Sequence, residues 1–162
     1  MSFMIYPHAF KACHLHFAPA VQNNDAIDSK FSRIIYSTKH ISLNGVAIIV
    51  DLAGTQHDPH YNKVFVRFDP GLSANKPIVS QLHDIECNIL SKYAGAVMGS
   101  THRCVHLLRD QLNSGCIKAY MNERANDANA NDPANGTHVM LKICGIWETN
   151  HECGMTYKFI KC

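Results

Sequence analysis

Apolar and polar residues alternate most regularly in the stretch from His138 to Cys162. Val139, Leu141 and Ile143 alternate with Met140, Lys142 and Cys144, and Met155, Tyr157 and Phe159 alternate with Thr156, Lys158 and Ile160. A period of two marks half-buried strands, and the polar connector from Glu148 to Gly154 joins them into a hairpin around which the rest of the chain is organised. Gly145 interrupts the first run where a side chain would face the core. Glycine inside a strand often marks a bulge, whose extra residue exchanges the faces beyond it. Two placements of Trp147 follow. Without a bulge it belongs to the core, which the average burial of tryptophan favours. With a bulge Ile146 turns inward, and Trp147 turns outward to share a face with Lys142 and, if the hairpin is in register, Lys158.

Upstream, the first thirty or so residues are weakly patterned, with Phe3, Ile5, Leu15 and Phe17 allowing one or two edge strands around Pro7 and Pro19. Phe31 to Ser37 reads as a strand. Lys39 to Leu43, Asn44-Gly45 and Val46 to Leu52 read as a tight hairpin, because Asn-Gly suits the positive φ of a type I′ turn. Lys63 to Phe68 is a further strand, ended by the turn sequence Asp69-Pro70-Gly71. The period then changes. After Pro77, Ile78, Leu82, Ile85 and Ile89 follow helical spacing to about Tyr93, with Gly95 and Gly99 as stops. A second helix is expected from Thr101 through Val105, Leu108 and Leu112 to Gly115, then a strand from Cys116 to Met121. Residues 122–136, rich in Asn, Ala and Asp, form a low-complexity loop with nothing to bury. Strands, then helices, then strands, without β-α-β alternation, predict an α+β fold: an antiparallel OB-like barrel or curved sheet with two inserted helices.

Composition narrows this picture. A chain of 162 residues, 46% hydrophobic and 17% charged, suits one globular domain spanning residues 1–162. The net charge of +2 is too small for a generally basic surface, so any polyanion site must be a local patch. The first residues lack the basic region of a secretory signal, and the longest aliphatic run, Val46 to Val50, cannot span a bilayer. An intracellular protein with no membrane association is expected. Seven cysteines without paired spacing then point to free thiols.

Chemistry-bearing side chains occur in a few clusters. His102, Cys104 and His106 are the densest group of metal-type ligands, and on a helix His102 and His106 would share a face, but no second pair accompanies them. Cys13, His14 and His16, or His57 and His60, could supply ligands only from afar. Asp51, Asp58 and Asp69 near strand ends would suit a metal-dependent nuclease. Phosphate loops, nucleophile elbows and Cys-x-x-Cys pairs are missing from the sequence. The broader pattern is basic residues interleaved with aromatic ones on predicted strands: Arg33 with Tyr36, Lys63 and Arg67 with Phe65 and Phe68, Lys118 with Tyr120, Lys142 with Trp147, and Lys158 with Tyr157. Single-strand binders use this mixture, since cations follow the phosphates while rings stack on bases of any sequence.

Phe31-Ser-Arg-Ile-Ile-Tyr-Ser-Thr38, Leu43-Asn-Gly-Val46, Asp84-Ile-Glu-x-Asn-Ile-Leu-x-Lys-Tyr93, Gln111-Leu-Asn-x-Gly-x-Ile-Lys118, Leu141-Lys-Ile-x-Gly-Ile-Trp-Glu-Thr149 and Gly154-x-Thr-Tyr-Lys-Phe-Ile160 carry a further signal. In this order they resemble a family of small proteins of nucleocytoplasmic large DNA viruses, with kinship to phage-type single-stranded DNA-binding proteins of the OB fold. The resemblance implies a non-enzymatic, cofactor-free protein of the infected cell's cytoplasm or nucleus. It would bind single-stranded DNA, with RNA as an alternative, without sequence preference in viral replication or repair, beside viral replication proteins. The phage-type proteins typically end in an acidic recruiting tail, whereas this chain ends Tyr157-Lys-Phe-Ile-Lys-Cys162. A structural or protein-interaction module is the second expectation, and a metal-dependent enzyme such as a nuclease the third.

Overall fold

The computed structural model describes residues 3–24, 28–96, 102–122 and 136–162. Two single-turn helices, Pro7–Ala9 and Ala12–His14, precede strands β1 (Leu15–Phe17), β2 (Val21–Gln22), β3 (Lys30–Ser37), β4 (Ser42–Asn44), β5 (Val46–Leu52), β6 (Gln56–His60) and β7 (Lys63–Arg67). Helix α1 (Lys76–Ala96), strand β8 (Arg103–Val105), helix α2 (Leu107–Asn113) and strand β9 (Cys116–Met121) follow, and the chain closes with the long strands β10 (Thr137–Glu148) and β11 (Glu152–Lys161).

The β10–β11 hairpin is the spine of the sheet. Its ladder runs from Val139 opposite Lys161 to Glu148 opposite Cys153, with a register slip between Ile143 and Gly145. Before the slip Leu141 faces Phe159, and beyond it Ile146 faces Met155. All four are at most 1% exposed, so the bulge lets both halves of an odd-stepped pattern bury their apolar side chains.

Each outer edge of this hairpin forks between two strands. β10 pairs with β5 along Thr137–Ile143 and with β3 along Gly145–Glu148. β11 pairs in parallel with β8 along Glu152–Gly154 and with β9 along Phe159–Lys161, beyond which lie β7 and β6. The first fork is filled by Gly45, whose φ is +80° and whose N–H donates to Ile34 O at 2.7 Å. A Cβ there would lie 2.6 Å from Ile143 O, so only glycine fits. Asn44-Gly45 is therefore a corner and not the tight hairpin turn expected: β4 pairs with β3, while β5 crosses to β10. The turn of that hairpin lies earlier, where Thr38 N–H donates to Ile41 O.

α1 covers one face of the sheet with Leu82, Ile85, Ile89, Leu90 and Tyr93, joined in one apolar core to Ile34, Ile48, Val66, Ile117, Leu141 and Phe159. Its buried Glu86 accepts from the N–H groups of Leu108 and Arg109, each at 2.9 Å, and so fixes the start of α2 against α1. Tyr93 and Ser32 share a buried hydroxyl hydrogen bond of 3.0 Å, and Lys92 donates to Ala12 O and Leu15 O, holding the N-terminal arm against α1.

The fold is α+β, with the two helices inserted between strands as expected, but the sheet is open and mixed, so a closed antiparallel barrel is not formed. β6 ends the sheet and carries Pro59, which has no N–H to offer a further strand. The expected second helix is also shorter. Arg103–Val105 is a strand, because this short run finds a partner in Glu152–Gly154, and α2 begins only at Leu107. Thr101, most of the low-complexity loop and Gly99 lie outside the described residues.

Two outcomes test this framework. Glu86→Ala strands two amide donors of α2 and should cost roughly 2–4 kcal/mol in denaturant unfolding; a near-neutral effect would mean that α2 is held otherwise. His57 lies between Thr137 Oγ1, at 2.6 Å, and Lys161 Nζ, at 3.4 Å, and burial, then the Lys161 charge, lowers its pKa from 6.5. The unfolded chain then takes up this proton first, so the destabilisation is absent above pH 6.5 and grows as pH falls below it, until the folded form also protonates. Melting temperature should drop through that window, and His57→Gln should flatten this part of the profile.

Candidate nucleic-acid interface

Strand alternation decides which side chains leave the helix-covered face. Opposite residues of paired strands share a face, so the ladders can be followed across the sheet as rows. Lys142 and Lys158 face each other across β10 and β11, and Lys118, Phe65 and Asp58 form a row across β9, β7 and β6; the β11–β9 ladder begins one residue on, at Phe159 opposite Ala119. The next runs Met140, Ile160, Tyr120, Lys63 and His60. On the other side of the lysine row lie Arg33, Gly145 and Thr156, and then Phe31, Trp147 and Gly154. Apart from the two glycines, none of these side chains is buried, and α1 packs against the opposite face.

Nine of the twelve basic and aromatic residues singled out in the sequence thus meet on this open face: Arg33, Lys63, Phe65, Arg67, Lys118, Tyr120, Lys142, Trp147 and Lys158. Phe68, 7% exposed, and Tyr157, packed against the core, leave this face, and so does Tyr36. It has the same parity on β3 as Ser32 and Ile34, and it sits 3% exposed in the core against Phe10 and His14. Phe31 belongs to the face and was overlooked; its place beside Arg33, two residues apart in the strand, was the available signal.

Two rings are seated on glycine. A Cβ at Gly154 would lie 2.6 Å from Cε2 and 2.7 Å from Nε1 of Trp147, so the indole lies across the bare backbone of its cross-strand partner. A Cβ at Gly145 would lie 2.7 Å from Cε2 of Phe31. Glycine under an aromatic ring covers exposed strand backbone and presents the other side of the ring to solvent. The core placement of Trp147 is corrected on this point: the bulge turns it outward, half-buried, onto the face of Lys142 and Lys158.

Charge on the face is one-sided. Arg67 and His60 share Asp58, at 3.9 and 3.3 Å. Among the described residues no carboxylate lies within 4.0 Å of Arg33, Lys63, Lys118, Lys142 or Lys158. Lys142 and Lys158 are direct cross-strand neighbours, a like-charge pairing that works against the fold. Lys63 and Lys118 place their ammonium groups 5.7 and 5.6 Å from the ring centre of Tyr120, which holds them in a cation–π cluster.

The second fork of the hairpin opens a cleft of about 610 Å³ at the edge of this face, between Trp147, Lys158, Lys118 and Tyr120, with α2 beneath. There Tyr157 donates to Gln111 Oε1 at 2.7 Å, and burial, then the charges of Glu86 and Asp110, push its pKa up to about 12.

The alternative sites do not assemble. With Arg103–Val105 a strand, His102 and His106 share no helix face; His102 Nε2 bonds Thr149 O at 3.0 Å, and Cys104 Sγ lies 3.7 Å from Cys153 Sγ. Among the described residues no three His, Cys, Asp or Glu side chains are grouped to hold a metal ion. Asp51 contacts His138, whereas Asp58 contacts His60 and Arg67, so the two carboxylates have different partners. No protein-family model, no curated protein and no solved structure matches this chain.

Gly154→Ala tests the seat of the indole. The added methyl should lift Trp147 off the sheet, shift its emission to the red and cost about 1 kcal/mol in stability, at the low end for overpacking because a side chain can move aside. An unchanged spectrum would show that the indole does not rest there.

Proposed function

We propose that the open face binds single-stranded nucleic acid without sequence preference, as a non-enzymatic, cofactor-free protein. The observation that carries this reading is the convergence of glycine-seated aromatic rings and of cations with no carboxylate within 4.0 Å among the described residues, from strands distant in sequence, on the sheet face opposite α1. Cations without carboxylate partners release counterions to phosphates, and rings lying along a sheet stack on bases irrespective of sequence. The resemblance to small proteins of nucleocytoplasmic large DNA viruses supports placing this activity in viral DNA replication or repair.

A module that docks a partner through its sheet edge has less support. The β6 edge is short, carries Asp58 and His60, and contains Pro59, features that discourage strand addition.

Polarisation with a labelled single strand and with duplex, repeated at two salt concentrations, should show preference for the single strand and a negative salt slope. Trp147→Ala should weaken single-strand binding by about 1–3 kcal/mol, the usual worth of one stacked base. Lys142→Ala or Lys158→Ala should each reduce the slope by somewhat under one unit. Binding that none of these substitutions alters would overturn the assignment.

A further inference from the structure

Among the described residues, β11 has a strand partner on its outer edge only at its ends, β8 along Glu152–Gly154 and β9 along Phe159–Lys161. No described strand pairs with Met155–Lys158 on that side. Because peptide groups alternate along a strand, half of the N–H and C=O groups in this interval point into the cleft. Such groups need hydrogen-bond partners.

The walls of the cleft are selective in chemistry. Leu107 and Phe159 supply apolar surface, and Trp147 and Tyr120 supply rings. Gln111 has its Oε1 engaged by the Tyr157 hydroxyl, which leaves its amide nitrogen as an additional donor. Lys118 and Lys158 stand at the rim without a carboxylate within 4.0 Å among the described residues. Flat apolar surface, a free peptide edge and paired cations together match a nucleotide: a planar heterocycle with donors and acceptors on one edge, and a phosphate. The cleft volume of about 610 Å³ falls within the ordinary range of small-molecule sites. A peptide strand is a poor fit, since β8 and β9 close the free edge at both ends and strand addition needs a continuous run.

We propose that the cleft receives one unstacked base of the bound strand, read by the free peptide edge of Met155–Lys158 and by Gln111, with its phosphate between Lys118 and Lys158. This assignment rests on the strand-binding role of the open face and adds to it a single position of base preference in an otherwise indifferent site.

Selection of the wild-type protein against a pool of random single-stranded oligonucleotides, followed by polarisation on strands differing at the selected position, tests it. A preference of about tenfold for one base at one position is expected, the scale of one well-formed set of base-edge hydrogen bonds. Leu107→Trp, at a partly exposed position lining the cleft, should fill it and bring the preference below about twofold. Should that variant fail to fold, the wild-type selection decides alone. Strands bound tightly with equal affinity for every base at every position would overturn the cleft assignment and leave the face reading standing. Absence of binding to any single strand would overturn the face reading and this inference with it. A preference that persists undiminished in folded Leu107→Trp would place the selective contact elsewhere and overturn the assignment to the cleft.

Discussion

The register slip between Ile143 and Gly145 governs which side chains this protein buries and which it displays. Without the extra residue, continuing the alternation from Leu141 and Ile143 would send Ile146 to solvent and Trp147 under α1, where Tyr93 and Ser32 already meet. The slip reconciles two apolar patterns that are out of phase by one residue. Its location also matters, because β10 changes partners from β5 to β3 at the same point. A bulge increases local twist and bends its strand, which lets two neighbours diverge without forcing either off the sheet.

The two forks of the hairpin are resolved by different means, and the difference shapes the surface. At the β10 fork the backbone of Gly45 fills the gap directly, hydrogen-bonded to Ile34 O. At the β11 fork the gap is backed by α2, whose position depends on the carboxylate of Glu86 on α1. A helix diameter is about twice the spacing of adjacent strands, so α2 cannot seal the sheet as flush as a strand would. The cleft is the residual space. The α2 wall of the cleft thus depends on a buried acid of α1.

Much of this was legible in the sequence because the relevant signals were local. The final hairpin, strands β3, β7 and β9 and helix α1 follow from period and punctuation alone, whereas Gly145 left two placements of Trp147 open and its bulge decided between them. The misses share a cause: their structure is set by partners distant in the chain. β6 has almost no apolar residues to announce it and exists as an edge strand on β7, while β8 is defined by its ladder with Glu152–Gly154. Asn44-Gly45 has the local chemistry of a hairpin turn, yet its glycine serves a corner between two different partners. Tyr36 was misplaced for a simpler reason, since its parity with Ile34 on β3 already assigned it to the core. The cleft lay beyond the sequence altogether, because it is formed by a strand edge left unpaired.

Natural sequences are usually consistent from local preference to global packing, and the places where they are not tend to be functional. Here three departures of different kinds lie together. Lys142 and Lys158 face one another across a ladder where opposite charges would be more stable. Gly145 and Gly154 sit within strands, where glycine is disfavoured, and each supports a ring turned toward solvent. Among the described residues, Met155–Lys158 lack a strand partner along one edge although they belong to the central hairpin. None of these features helps the core, which is closed by α1 on the opposite face. Each makes physical sense if a polyanion with stackable, hydrogen-bonding bases completes the surface, because the same ligand would neutralise the lysines, cover the rings and satisfy the free peptide groups.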